Sequence, residues 1–155
     1  MTLSMGMDQS KREAMAEAVT RVLADTYALY FKTHAYHWNV TGPRFHDLHV
    51  LFETQYNEMW MATDDIAERV RALGVKAPSS YAEMDKFAEI RSQAEKTDAN
   101  EMIADLLAGH EQVVATIRAA LEKAAELGDD ATADVLTPRL TAHEKTGWML
   151  RSTLG

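Results

Sequence analysis

The chain of 155 residues contains no cysteine. Thiolate zinc sites, iron–sulfur clusters, thiol nucleophiles and disulfide scaffolds are therefore excluded. Glycine and proline are scarce, at seven and three, which disfavours a β-sandwich dense in tight turns. No apolar run approaches the roughly 20 residues of a membrane span. The stretch from Met1 to Arg12 lacks the apolar centre of a signal peptide. Positive charge is short as well: 16 Lys and Arg stand against 24 Asp and Glu, a net charge of -8. Nucleic-acid binding needs a basic surface that displaces counterions from phosphates. Here the basic pair near the N-terminus is Lys11-Arg12, and the C-terminus offers Arg151. An acidic surface attracts cations instead. The expectation is one cytoplasmic helical domain over residues 1–155, with residues 1–9 as a flexible arm. A chain of this length can bury roughly 70% of its unfolded surface without a disulfide or a structural metal.

What is present is helical periodicity. Met15, Val19, Val22, Leu23, Thr26, Leu29 and Tyr30 recur at steps of three and four, forming one apolar stripe. Asp8 or Ser10 is the candidate N-cap, and the stripe runs to about Trp38, before the Gly42-Pro43 breaker. A second helix is expected from about Arg44 to Leu73. Phe45, Leu48, Phe52, Tyr56, Met59, Trp60, Ile66 and Val70 lie on or near its apolar side, with Gly74 at its C-terminal cap. Between Val75 and Ala99 the signal weakens. Ser80 can cap a short helix from Tyr81 to Ile90 whose apolar face is Met84, Phe87 and Ala88. A third long helix spans about Asn100 to Leu127, ended by Gly128. A fourth runs from about Ala131 to Thr153, capped by Asp129 or Asp130. Pro138 either kinks it or shows that it starts later. The fold class is all-α: a ferritin-like four-helix bundle with one long crossover, and a short extra helix in it, between the second and third long helices.

Four of the six histidines, His34, His37, His46 and His49, fall around the first helix–helix turn. His110 and His143 lie on apolar stripes and read as hydrogen-bonded core residues. At 100° per residue, His49, Glu53, Asp64 and Glu68 share an arc of roughly 100° on the second helix. That arc adjoins Phe45, Phe52 and Tyr56, so these polar groups do not all face water. A cation held by imidazole and carboxylate would offset the cost of burying a carboxylate, and this donor set suits iron. His49 and Asp64 are nevertheless about 22 Å apart along a helix axis, so one site cannot contain both pairs from one chain. Other helices of the same chain could complete each half, but the Glu-x-x-His motif of di-iron bundles occurs nowhere in the sequence. Alternatively, a two-fold axis sets two second helices antiparallel and makes two identical intersubunit sites.

The stretch His37-Trp38-Asn39-Val40, then Gly42, Phe45, Leu48-His49, Glu53 and Asp64-Asp65-Ile66-Ala67-Glu68-Arg69, resembles the signature of the Dps family. These are the mini-ferritins, DNA-binding proteins from starved cells. The resemblance runs through nearly the whole chain, including the Gly128-Asp129-Asp130-Ala131-Thr132-Ala133-Asp134 run. It implies a dodecameric cage with ferroxidase sites at two-fold interfaces. His37, His49 and Glu53 would come from one subunit, and Asp64 and Glu68 from its partner. The family often has Asp where this chain has Glu53; either supplies carboxylate oxygen. The implied reaction is oxidation of Fe(II) by hydrogen peroxide, then storage of ferric mineral in the cavity, protecting the cell from oxidative damage. Glu68 would bridge two irons. Trp38 is either an electron source that quenches stray oxidant or an interface residue. His34 is a second layer around the site, or a further ligand in a minority reading. Asp130 and Asp134 fit an acidic iron-entry pore, or a helix cap and a solvated residue. DNA affinity is expected to be weak or absent. The alternative function is a DNA-compacting stress protein in which iron oxidation is secondary.

Overall fold

The computed structural model describes residues 2–91 and 96–155. They form five helices: α1 (Gln9–Asn39), α2 (Phe45–Ala72), α3 (Tyr81–Asp85), α4 (Ala99–Leu127) and α5 (Asp130–Leu154). No strand occurs among the described residues. The four long helices form a bundle in which α1 packs on α2 and α4, α4 packs on α5, and α2 meets α5 along a looser seam. This is the ferritin-like arrangement expected from the long crossover.

Local chemistry sets the helix ends. Asp8 occupies the α1 N-cap without a side-chain capping bond. Ser80 caps α3 by accepting from Glu83 N at 3.1 Å, while the Glu83 carboxylate accepts from Ser79 N. Asp98 caps α4 through Asn100 N and Glu101 N. Gly128 closes α4 at φ +69°, a conformation that strains any residue with a Cβ. Asp129, rather than Asp130, caps α5 by accepting from Thr132 N.

Three expectations need correction. The short helix ends at Asp85, not Ile90, because the following backbone is held elsewhere: buried Asp25 of α1 accepts from Glu89 N and Ile90 N at 2.7 and 3.0 Å. On α2, Phe45 and Trp60 are exposed rather than part of the core. Pro138 lies inside α5, which begins before it at Asp130, so the later start does not occur. The expected core of the first two helices otherwise forms: Met15, Val19, Val22, Leu29, Leu48, Phe52, Met59 and Ile66 are buried in one cluster with Ile103, Leu106 and Ile117 of α4. Among the described residues no helix is long and apolar enough to cross a membrane.

Candidate metal centre

The turn between α1 and α2 builds one half of the candidate site. Gly42 takes φ +107° and Phe45 N donates to Gly42 O, reversing the chain within a few residues. The last turn of α1 therefore lies against the first turns of α2. His37 and His49 meet there with ring centroids 3.7 Å apart and 14° between their planes. His37 Nδ1 donates to the His49 carbonyl and His49 Nδ1 donates to the His37 carbonyl, both at 2.7 Å. The His37 carbonyl is in the final turn of α1, where carbonyls lack helical partners. A carbonyl only accepts, so both Nδ1 atoms carry hydrogen, and Nε2 is the nitrogen of each ring left available to a metal. Fixing the tautomer through the other ring nitrogen is how metal-binding histidines are held.

An aromatic wall backs this pair. Tyr56 stands 5.2 Å from the His37 ring and 4.2 Å from the His34 ring. Burial and the nearby Glu53 charge push the Tyr56 pKa up. Glu53 is exposed on α2, one turn after His49. His34 is half-buried, lies 4.0 Å from the Trp38 ring and interacts with Tyr30 Oη at 3.4 Å. Burial, then the neighbouring His37, lowers its pKa. Trp38 is 56% exposed, and His46 is exposed.

The other half lies on the same helix. Asp64, Asp65 and Glu68 bring one carboxylate oxygen each within 4.8 Å of one another. Asp65 is the member that spacing alone does not single out, since it sits off the i, i+4 pair. All three are exposed in the single chain. They line a groove of about 1250 Å³ between α2 and α5, together with Asp134. Asp130 instead lines a smaller cleft beside Lys11 and Arg69, so the two aspartates of the expected pore face different recesses. The groove's two guanidinium groups are already engaged. Arg69 pairs with Asp129 at 2.9 Å, and Arg139 with Glu58. Burial raises the Asp129 pKa, but hydrogen bonds from Thr132 and Arg69 outweigh it and hold the carboxyl below its usual range. A single chain thus carries two clusters of candidate donors, an imidazole end and a carboxylate end, roughly 22 Å apart along α2.

Residues 16–155 match the ferritin-like domain family. The DNA protection during starvation protein of Brevibacillus brevis is 34% identical over 96% of this chain and 99% of its own. A low temperature-induced protein of Nostoc sp. is 36% identical over 97% of this chain and 85% of its own. The crystal structure of a Dps protein from Bacillus brevis superposes with a TM-score of 0.91 at 34% identity, covering 96% of this chain and all of that one. The chain belongs to the Dps family. A Dps protein from Vibrio cholerae O1, described as a member of a superfamily of ferritin-like diiron-carboxylate proteins, matches at TM-score 0.92 and 29% identity over 99% of this chain. Iron storage and stress protection are the Dps function at the level of the family, and iron binding follows from the diiron-carboxylate superfamily.

Proposed function

We propose that this Dps chain assembles into a dodecameric cage whose two-fold interfaces are ferroxidase sites. Ferrous iron is the substrate and hydrogen peroxide the oxidant. His37, His49 and Glu53 of one subunit face Asp64 and Glu68 of the partner subunit across antiparallel α2 helices. The observation that carries this reading is the His37–His49 clamp. It leaves two bare Nε2 atoms at one end of a helix whose carboxylate cluster is too far away to complete the site within one chain.

The chemistry follows from the donors. Neutral imidazole and hard carboxylate oxygen suit Fe(II), and carboxylates hold Fe(III) still more firmly. Glu68, with two oxygens, can bridge two ions. Each of two ferrous ions gives one electron to a peroxide, whose O–O bond breaks to leave two oxygens at the oxide level rather than a hydroxyl radical. Hydrolysis of the ferric ions releases four protons and leaves ferric oxyhydroxide as the stored mineral. Trp38 and His34 form the rim, Trp38 as a source of electrons for stray oxidant. Asp134, in the same groove as Asp64 and Glu68, passes iron inward, and Asp130 belongs to the entry pore. DNA affinity is weak: the net charge is -8 and Arg12 is occupied by the Met7 and Leu73 carbonyls.

The test is complementation. His49→Ala and Asp64→Asn proteins should each oxidise Fe(II) with peroxide at least about tenfold more slowly than the parent. After dissociation and random reassembly of an equal mixture, about a quarter of the sites pair two intact halves, and activity should return in proportion. If native mass spectrometry shows subunit exchange without recovered activity, the site does not lie between chains.

A further inference from the structure

A polar chain that the iron chemistry does not use runs through the core from α2 to α4. Arg139 of α5 donates through Nη1 and Nη2 to the Glu58 carboxylate of α2, and its Nη2 lies 3.2 Å from His143 Nε2. His143 Nδ1 lies 2.9 Å from His110 Nδ1 on α4. Both rings are almost wholly buried. Among the described residues, His110 Nε2 has no hydrogen-bond partner.

The direction of every hydrogen in this chain is determined. A guanidinium only donates, so His143 Nε2 must accept. His143 is then neutral with its hydrogen on Nδ1, which donates to His110 Nδ1. That leaves the His110 hydrogen on Nε2. Burial, reinforced by the Arg139 charge, keeps a further proton off either ring. The chain therefore ends in a buried N–H donor with nothing to receive it, a state proteins avoid by binding an acceptor. A cavity of about 340 Å³ offers the room, lined by His110 and His143 with Glu111, Glu144, Gly147 and Arg151. Glu144 is engaged by Arg118 at 2.6 Å, and the remaining charged residue types of the lining, Glu111 and Arg151, are of opposite sign, so the lining favours a ligand with no net charge.

The same separation could suggest a metal pair. Two nitrogens on a tetrahedral zinc ion, with bonds of about 2.0–2.1 Å, stand about 3.3 Å apart. Arg139 forbids that arrangement. A metal on both Nδ1 atoms would force hydrogen onto His143 Nε2 and aim one donor at another.

We propose that His110 and the adjoining cavity bind a small uncharged hydrogen-bond acceptor, water being the smallest, at His110 Nε2, and that Arg139 keeps divalent metal ions off the His110–His143 pair. The inference is independent of the intersubunit site.

Crystals of the intact protein soaked in cobalt(II), read with anomalous maps, test it together with solid-state NMR of ¹⁵N-histidine protein. The expected result is a solvent peak roughly 2.7–3.2 Å from His110 Nε2, no anomalous peak between the two rings, and His110 protonated at Nε2 alone. Cobalt between the rings, no solvent peak at Nε2, or a hydrogen on His110 Nδ1 overturns the proposal. In Arg139→Met, His143 Nε2 is free to carry hydrogen, and a cobalt peak should appear between the Nδ1 atoms. In Arg139→Lys, still a pure donor, it should not. A folded Arg139→Met protein with no cobalt at the pair refutes the excluding role, and the parent protein tests the acceptor site even if that variant does not fold.

Discussion

His37 and His49 hold one another through reciprocal bonds: each Nδ1 donates to the other residue's backbone carbonyl at 2.7 Å. In the proposed ferroxidase site this clamp would hold both rings in place beforehand, so little side-chain entropy would be lost when iron binds. His49→Phe keeps a ring for stacking and removes both nitrogens. Peroxide-dependent Fe(II) oxidation should fall at least about tenfold. Stability should fall by only about 1 kcal/mol, the net worth of one hydrogen bond. Initial rates and urea midpoints of the same preparation separate the two effects. An unchanged rate would remove His49 from the site.

Arg69 joins the carboxylate end of α2 to the start of α5. It donates to Asp129 through Nη2 and to Thr132 Oγ through Nε, while Asp129 also caps α5. Asp129 is buried and Arg69 is largely covered. Arg69→Ala strands a buried carboxylate and should cost about 3–5 kcal/mol. Asp129→Ala strands the guanidinium and also loses the cap, so it should cost at least as much. The double variant should be clearly less destabilised than the sum of the two. Chemical denaturation of all four proteins completes the cycle, and simple additivity would show that the pair is not coupled.

Asp25 anchors the crossover. Its carboxylate accepts from Glu89 N, Ile90 N and Thr116 Oγ, tying the segment after α3 to α1 and α4. Asp25→Ala leaves two backbone donors without their acceptor and should destabilise the chain by about 2–4 kcal/mol. Hydrogen exchange should rise first at Glu89 and Ile90. Protection at those amides that survives the substitution would mean that the anchor lies elsewhere.

The bundle was legible because its signals are periodic and local. The stripe from Met15 to Leu29 is buried as its spacing requires, Gly128 ends a helix by its backbone freedom and Ser80 starts one by a side-chain cap, whereas the Asp98 cap of α4 went unread. The early end of α3 was not legible, because Asp25 lies more than 60 residues away in sequence and nothing in the Tyr81–Ile90 pattern announces it. In the candidate site, one-turn spacings gave the His49–Glu53 and Asp64–Glu68 pairs, and the distance between them pointed to a second chain. The exposure of Phe45 and Trp60 was not legible, because an apolar residue on the surface has the same sequence signal as one in the core. The tautomers of His37 and His49 depend on carbonyls brought close by the turn, which no residue pattern encodes. His110 and His143 were legible as hydrogen-bonded core residues, but not their connection to Arg139 and Glu58.

That buried pair makes the protein acid-sensitive in a defined window. Burial, with Arg139 reinforcing it, lowers both histidine pKa values, that of His110 to about 3. In the unfolded chain both return to the ordinary value of 6.5. Above that value neither state binds the proton, and the stability contribution is fully present. As pH falls below it, the unfolded chain takes up protons that the folded chain cannot, and each such histidine costs up to about 1.4 kcal/mol per pH unit. The loss from His110 levels off only near its folded value. Between pH 7 and pH 5 one buried histidine should therefore remove about 2 kcal/mol. His110→Phe removes that titration while filling the same space. Its stability should fall less steeply with acidification than the parent's, with the two slopes diverging below about pH 6.5. Urea midpoints measured at half-unit intervals would reveal the divergence, and parallel curves would show that His110 is as free to protonate when folded as when unfolded.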